Sequence, residues 1–313
     1  MIEIDIQKQH IPVLLHEVVE GIIQPSMKVV VDGTLGLGGH SEAILQKLHP
    51  HITLIGIDKD ATNLKKAQTR LKKYQANIKF VHDDFVNIKS ISKKFLYDKV
   101  DAIILDLGLS SPHIDNQERG FSFYQEGPLD MRFNQEQELT AEIIINRYSE
   151  QKLADIIYQY GEEKRARKIA KIICKARKKK KFTSTRELAT EIEKNIKNKK
   201  KHPALLTFQA LRIAVNNELD LLYKCLEDAA DLLSIGKRLA VISYHSLEDR
   251  IVKQFFRFKA KHCVCPKEIL LCKCQHQASL KIITKKPIRP SLGEIEKNSR
   301  ARSAKLRIAE KII

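Results

Sequence analysis

Apolar residues fall in short unbroken runs through the first third of the chain, and each run stops at an acid or a glycine. "KVVVDG" (28–33), "ITLIGID" (52–58), "IKFVHDDF" (78–85) and "VDAIILDLG" (100–108) are the four runs. Between them, "GHSEAILQKL" (39–48) and "ATNLKKAQTRLKKY" (61–74) repeat their apolar positions at helical spacing. Continuous Val/Ile/Leu runs alternating with amphipathic helices predict parallel strands covered on both faces. Right-handed crossovers then give a doubly wound α/β sheet.

The pattern changes after residue 108. "SSPHIDNQERGFSFYQEGPLDMRF" (110–133) has no clean period and is rich in turn residues, and from about 140 to 200 only helical spacing is present. "TAEIIINRY" opens on Thr140, a side chain suited to an N-cap. "EEKRARKIAKIICKAR" carries apolar Ile169, Ile172 and Ile173, and "STRELATEIEKNI" opens with Ser184 and Glu187 at the spacing of a capping box. Residues 206–233 read as one long helix or two. "GKRLAVISYHS" (236–246) returns to strand, and "LKIITKKPI" (280–288) and "SAKLRIAEKI" (303–312) read as closing strands. The expected organisation is a sheet domain of residues 1–114 and 205–313, interrupted by a helical insertion at 115–204.

Charge adds a partner to this picture. The 313 residues carry a formal net charge of +18, an excess that favours a polyanion through counterion release. Lysine runs at 178–181 and 199–201 follow two of the predicted helices. The chain has no tryptophan, which argues against extensive base stacking. No apolar run is long enough to span a membrane, and the N-terminal segment lacks the basic-then-apolar pattern of a secretory leader. A cytoplasmic protein is expected.

Six cysteines are present. Cys174 and Cys225 stand alone and read as small buried apolar residues. Cys263, Cys265, Cys272 and Cys274 cluster in "HCVCPKEILLCKCQH". Clustered thiols in a reducing compartment suggest metal before disulfide, yet C-x-C is tighter than the common zinc spacing of C-x₂₋₄-C. Zinc and a reduced loop both remain open, and no residue is assigned as a metal ligand.

Candidate chemistry starts at "VVVDGTLGLGGHS" (29–41). A glycine-rich turn between strand and helix holds part of a nucleotide. The dinucleotide pattern G-x-G-x-x-G fails at its third glycine, since Gly36 and Gly38 are followed by Gly39 and no glycine stands at the later position, and the Gly-Lys-Ser/Thr of a P-loop is missing. Asp32 at the loop mouth would repel a pyrophosphate and attract a cation. S-adenosylmethionine is cationic and has no phosphate. Asp58 ends the second run, where an acid accepts from ribose hydroxyls in either nucleotide class. Asp83 or Asp84 can accept from an adenine amine and Phe85 can cover its face. Asp106 ends the fourth run. In doubly wound sheets all these strand ends line one crevice, and four carboxylates there call for a cation or several donors.

Taken together, "HIPVLLHEVV", "VDGTLGLGGHS", "DLGLSSPHID", "RGFSF", "GPLDMRF", "TFQALRIAVNNEL", "ISYHSLEDRIVKQFF" and "NSRARSAKLR" closely resemble the bacterial 16S ribosomal RNA cytosine-N(4) methyltransferases, from His10 to about Ala309. The resemblance implies a class I S-adenosylmethionine-dependent methyltransferase fold with a helical substrate-recognition insertion. It implies one methyl added to the exocyclic N(4) amine of a decoding-centre cytosine in the small ribosomal subunit, without membrane or DNA. Carried over residue by residue, the family's cofactor contacts fall on Gly38, Gly39, His40, Asp58, Phe85, Asp106 and His113.

A cytosine amine is a weak nucleophile because its lone pair is delocalised, so positioning by hydrogen-bond acceptors is the expected catalysis. Asp106, Ser110 and His245 are the catalytic candidates. Tyr244 is a candidate platform for a base flipped out of structured RNA. Arg119, Arg132, Arg300, Arg302 and Arg307 are candidates for phosphate contact. Three other readings stay open on the residues alone: transfer to an amine of DNA or protein, an RNA-binding assembly factor without catalysis, and, least favoured, a dehydrogenase.

Overall fold

A computed structural model of the chain describes residues 12–48, 50, 52–108, 116–197, 202–266, 271 and 273–313. It divides into two compact units, Met1–Gly108 with Leu219–Ile313, and Leu109–Glu218.

The first unit is built on a seven-stranded sheet in the order β3-β2-β1-β4-β5-β7-β6. Its strands are β1 (Val29–Asp32), β2 (Thr53–Asp58), β3 (Asn77–His82), β4 (Val100–Asp106), β5 (Leu233–Ser243), β6 (Leu280–Ile282) and β7 (Lys305–Lys311). The first five pair in parallel, as the unbroken apolar runs predict, whereas β7 runs antiparallel to both β5 and β6. The closing strands are therefore correctly placed by sequence, and the sheet is mixed. Chain order reverses between β1 and β4, and that reversal opens the crevice at their carboxyl ends.

Alternate residues of each strand feed two different cores. Val30, Leu54, Ile104 and Ile242 face one layer with α1 (Leu15–Ile22), α2 (Gly39–Lys47) and α3 (Ala61–Leu71). Val31, Ile55, Ile103 and Val241 face the other, with α4 (Ile88–Lys94), α10 (Glu218–Leu232) and α11 (Ser246–Lys259). Because both faces are covered, both parities are apolar, and period-2 alternation disappears. Each fully buried Ile or Leu in these layers contributes about 1.5–3 kcal/mol.

The second unit is helical: α5 (Ala141–Arg147), α6 (Glu150–Gly161), α7 (Ala166–Arg177), α8 (Thr185–Asn195) and α9 (Leu205–Asn216). Thr140 caps α5 through Ile143 N–H at 3.2 Å, and Ser184 caps α8 through Glu187 N–H at 3.2 Å. Their shared core is Ile144, Leu153, Ile157, Ile169, Ile173 and Leu188 with their neighbours. Phe208, Leu211 and Val215 of α9 belong to this core too, although the sequence reading counts residues from 205 with the sheet. The helical stretch breaks at Asn217, whose φ of 49° ends α9 in the left-handed region. Of the described helices, none is long and apolar enough to cross a membrane.

Candidate active site

The strand-end acids converge as the sequence pattern requires. Asp32 lies level with Gly56 on β2 and Ile104 on β4, Asp58 with His82, and Asp106 with Ile242. The loop from Gly33 to Gly38 is tied down at both sides: Gly33 N–H donates to Ile104 O and Leu35 N–H to Ile57 O, at 2.9 and 2.8 Å. Thr34 closes the arrangement by accepting the Asp106 backbone N–H on its hydroxyl at 2.6 Å. Nothing in the apolar pattern singles out Thr34, although a hydroxyl inside a glycine loop beside a row of acids is a signal of a needed hydrogen bond.

Asp32 does not do what its position in the sequence suggests. Its side chain is only 2 % exposed. It accepts from Ser41 Oγ at 2.6 Å and from Thr34 N–H at 3.2 Å. Burial pushes its carboxyl upward, against the lowering effects of Ser41, His40 and Thr34. Asp32 is thus a buried post that holds the loop and the first turn of α2, and the cationic-ligand role assigned to it from sequence is withdrawn.

The glycines also divide. Gly38 has φ +76°, and a Cβ there would press on Leu71 of α3 at 3.2 Å. A Cβ on Gly39 would come within 2.3 Å of Pro12 Cγ. Both positions thus need glycine for protein packing, and Gly38 is the N-cap of α2 without a side chain to cap it. Gly36, at φ +53°, is different: a Cβ there meets only Thr34 O at 3.8 Å, and its N–H donates to Asp58 Oδ2 at 2.6 Å.

Asp58 is held by two backbone donors, Gly36 N–H on Oδ2 and Asp60 N–H on Oδ1 at 2.7 Å. Those two donors fix the carboxylate at the strand end, a position that suits ribose hydroxyls. Asp83 and Asp84 are engaged locally. Asp83 accepts from Asn87 Nδ2 at 2.8 Å; Asp84 caps the turn at Val86 and pairs with Lys59 at 2.7 Å. Turn chemistry accounts for both. Phe85 is half-buried against the second core, with the Lys59 ammonium 5.1 Å from its ring centroid.

The protein thus supplies donors to both carboxylate oxygens of Asp32, Asp58 and Asp84, whereas one oxygen of Asp106 is left over. His40 Nε2 lies 2.9 Å from Val13 O, which can only accept, so the proton sits on Nε2 and Nδ1 faces Asp106 Oδ2 at 3.8 Å. The Tyr244 hydroxyl also meets Asp106. Burial first, and then that carboxylate, push the phenol well above its ordinary range. Asp106 Oδ1 is buried and has no hydrogen-bond donor among the described residues. A buried orphan acceptor in a crevice is an unmet demand for an N–H or O–H group.

Tyr244 and His245 take structural parts. A Cβ on Gly108 would strike Tyr244 Cε2 at 2.6 Å, so the ring is packed and its proposed role as a base-stacking platform does not hold. His245 is the N-cap of α11. Its Nδ1 accepts from Glu248 N–H at 3.4 Å, its Nε2 lies 3.0 Å from Glu248 Oε1, and Glu248 Oε2 accepts from the backbone N–H of Tyr244 and His245. Ser110, His113 and Cys272 lie outside the described residues.

Three candidate phosphate-binding arginines are committed internally. Arg132 forms a bidentate pair with Asp130 and also binds Gln135 O and Gln137 O. Arg119 binds Arg132 O and Phe133 O, and buried Arg307 binds Asp249 at 2.7 Å. Their work is to hold loops and strands together. Arg300 and Arg302 are exposed.

Residues 7–312 match the sequence profile of the MraW methylase family. "Ribosomal RNA small subunit methyltransferase H" of Dehalococcoides mccartyi is 50 % identical over 98 % of this chain and 88 % of its own length. The protein of the same name from Halothermothrix orenii is 47 % identical over 97 % of this chain and 99 % of its own. Among solved structures, an rRNA methylase from Streptococcus thermophilus aligns over 96 % of this chain and 94 % of its own with 12 % identity and a TM-score of 0.41, a likeness too loose to carry weight. With the profile spanning almost the whole chain, and relatives this similar at nearly full length, the chain belongs to the MraW methylase family.

Proposed function

We propose that this chain transfers one methyl group from S-adenosyl-L-methionine to the exocyclic N(4) amine of a decoding-centre cytosine in 16S rRNA, on the small ribosomal subunit in the cytoplasm. The observation that carries the proposal is the buried, donorless Oδ1 of Asp106 at the reversal point of the sheet. Family membership and the name shared by the relatives support the RNA substrate.

The residues present fit the cofactor. Asp58, oriented by two backbone N–H groups, can take the ribose hydroxyls; half-buried Phe85 offers an apolar edge for the adenine; and the open, positive-φ Gly36 leaves room at the loop. When bound, S-adenosylmethionine supplies an electrophilic methyl on a sulfonium. Asp106 Oδ1 accepts an N–H of the target amine and fixes its orientation. Thr34 holds the Asp106 backbone, and Tyr244 meets its carboxylate. Positioning of this kind in a dry crevice is the chemistry that a delocalised amine needs. No cysteine nucleophile is required.

The helical unit supports a polyanionic substrate. A groove of about 600 Å³ between α7 and α8 is lined by Lys175, Lys179, Lys181, Arg186 and Lys194, which outnumber Glu126, Glu187 and Glu191 on its walls. Lys180 on the same rim is spent on Glu187 at 2.5 Å. The test is incubation of the protein with labelled S-adenosylmethionine and small subunits from cells lacking it. Label in the RNA fraction is expected; label in ribosomal protein alone overturns the substrate assignment.

A further inference from the structure

The segment 260–279, between the last turn of α11 and β6, has no helix or strand of its own among its described residues. Loops of this length are uncommon unless something other than secondary structure organises them. Backbone bonds close its base, with Ser279 N–H donating to Lys259 O at 2.8 Å and His276 Nε2 to Phe258 O at 3.1 Å. Beyond the base, the loop brings three thiols together. Cys263, Cys265 and Cys274 have their sulfurs within 4.8 Å of one another. Cys263 Sγ and Cys274 Sγ, eleven residues apart, are separated by 3.8 Å.

That distance discriminates between chemistries. A disulfide has its sulfurs about 2.05 Å apart. Two thiolates on one tetrahedral zinc, each at about 2.3 Å, stand about 3.8 Å apart. The observed separation excludes a disulfide and matches two sulfurs sharing one zinc, a spacing that two thiols in contact also have. Each sulfur also accepts a backbone N–H at 3.4 Å: Cys263 from Cys265, Cys274 from Val264, and Cys265 from Lys273. Amide donors directed at sulfur are the outer contacts that orient thiolate ligands around a metal. The tight C-x-C spacing, an objection to zinc while only the sequence is considered, loses force because the close pair is formed across the loop.

We propose that Cys263, Cys265 and Cys274 bind one zinc ion as three thiolates, with one coordination position left to a further donor, and that the metal ties the two arms of the 260–279 loop. The site is structural. It sits at the end of α11 opposite to the one that starts at Tyr244 and His245, about 20 Å away along a 14-residue helix. The inference is independent of the proposed methyl transfer.

The test uses the full chain, reduced, incubated with zinc and desalted. Elemental analysis should find about one zinc per chain. Cobalt in place of zinc should give a thiolate-to-metal charge-transfer band and the intense visible bands of a tetrahedral site, both bleached by added zinc. The double variant Cys263→Ser/Cys274→Ser should lose at least about tenfold in bound zinc, and Cys174→Ser should keep it. If the double variant misfolds, stepwise blocking of thiols in the wild type with a mercurial should release zinc in proportion. Wild-type protein without zinc, weak octahedral cobalt bands, or unchanged zinc in the double variant would each overturn the site.

Discussion

Replacing Asp106 by asparagine changes one charge and almost no volume. Tyr244 meets the carboxylate and His40 Nδ1 stands 3.8 Å from its Oδ2, while Oδ1 is buried and has no donor among the described residues. The substitution therefore weakens one charge-assisted hydrogen bond to the reacting amine, worth about 1.5–3 kcal/mol, or about 10–150-fold in rate. The loss should fall on kcat and on kcat/KM for RNA together, because the bond matters at the transfer step. Stability should not fall. Asp106 is close enough to Asp32 to push that buried carboxyl upward, so neutralising it relieves repulsion. The assay is single-turnover methyl transfer to small subunits, paired with thermal melts and calorimetric titration of S-adenosylhomocysteine. A rate within about threefold of wild type would refute the positioning role. A melting temperature lowered in step with the rate would show that Asp106 supports the fold instead.

Three further outcomes follow from other parts of the structure. Gly120 has φ +68°, and a Cβ there would lie 1.9 Å from Pro128 O, so Gly120→Ala should cost the helical unit about 3 kcal/mol in a denaturant melt. Glu187 is held at about 2 by the Lys180 ammonium and by Thr183 N–H. Its folded value lies below the ordinary 4.5, so the stability it contributes is present above pH 4.5 and is lost as pH falls towards 2; being largely solvent-facing, the group is worth about 0.5 kcal/mol. Thermal melts of wild type and Glu187→Gln should therefore converge over that window, and a constant gap would be contrary evidence. If the lysine groove meets phosphates, Lys179→Gln/Lys181→Gln should flatten the dependence of log affinity on log salt by about 1.4 for single-stranded RNA. An unchanged slope would place the RNA elsewhere.

Much of this architecture can be read from residue order. Unbroken apolar runs ending in Asp32, Asp58 and Asp106 imply buried parallel strands whose carboxyl ends share one edge of the sheet, and the strand pairing puts them there. Direction within it is another matter. Both faces of the sheet are buried, so an acid after "VVV" can point into the protein as easily as into the cleft, and Asp32 points inward. Partner choice is equally hidden. Arg307 finds Asp249, and His245 turns back on Glu248, through folding that brings distant or successive residues together. The α9 helix carries an apolar stripe that fits any core, and only its packing with Ile157 and Leu188 assigns it to the helical unit. Strand direction is silent in an apolar run as well, which is why β7 could be placed but not oriented.

The central claim is the identity of the methylated atom. Small subunits from cells lacking the protein, treated with the enzyme and labelled S-adenosylmethionine, can be digested to nucleosides and resolved by mass. A single labelled species is expected, N(4)-methylcytidine, reduced about 10–150-fold when Asp106→Asn replaces the wild-type enzyme for the same short time. Label on a ring carbon, a ribose hydroxyl or another base would contradict it.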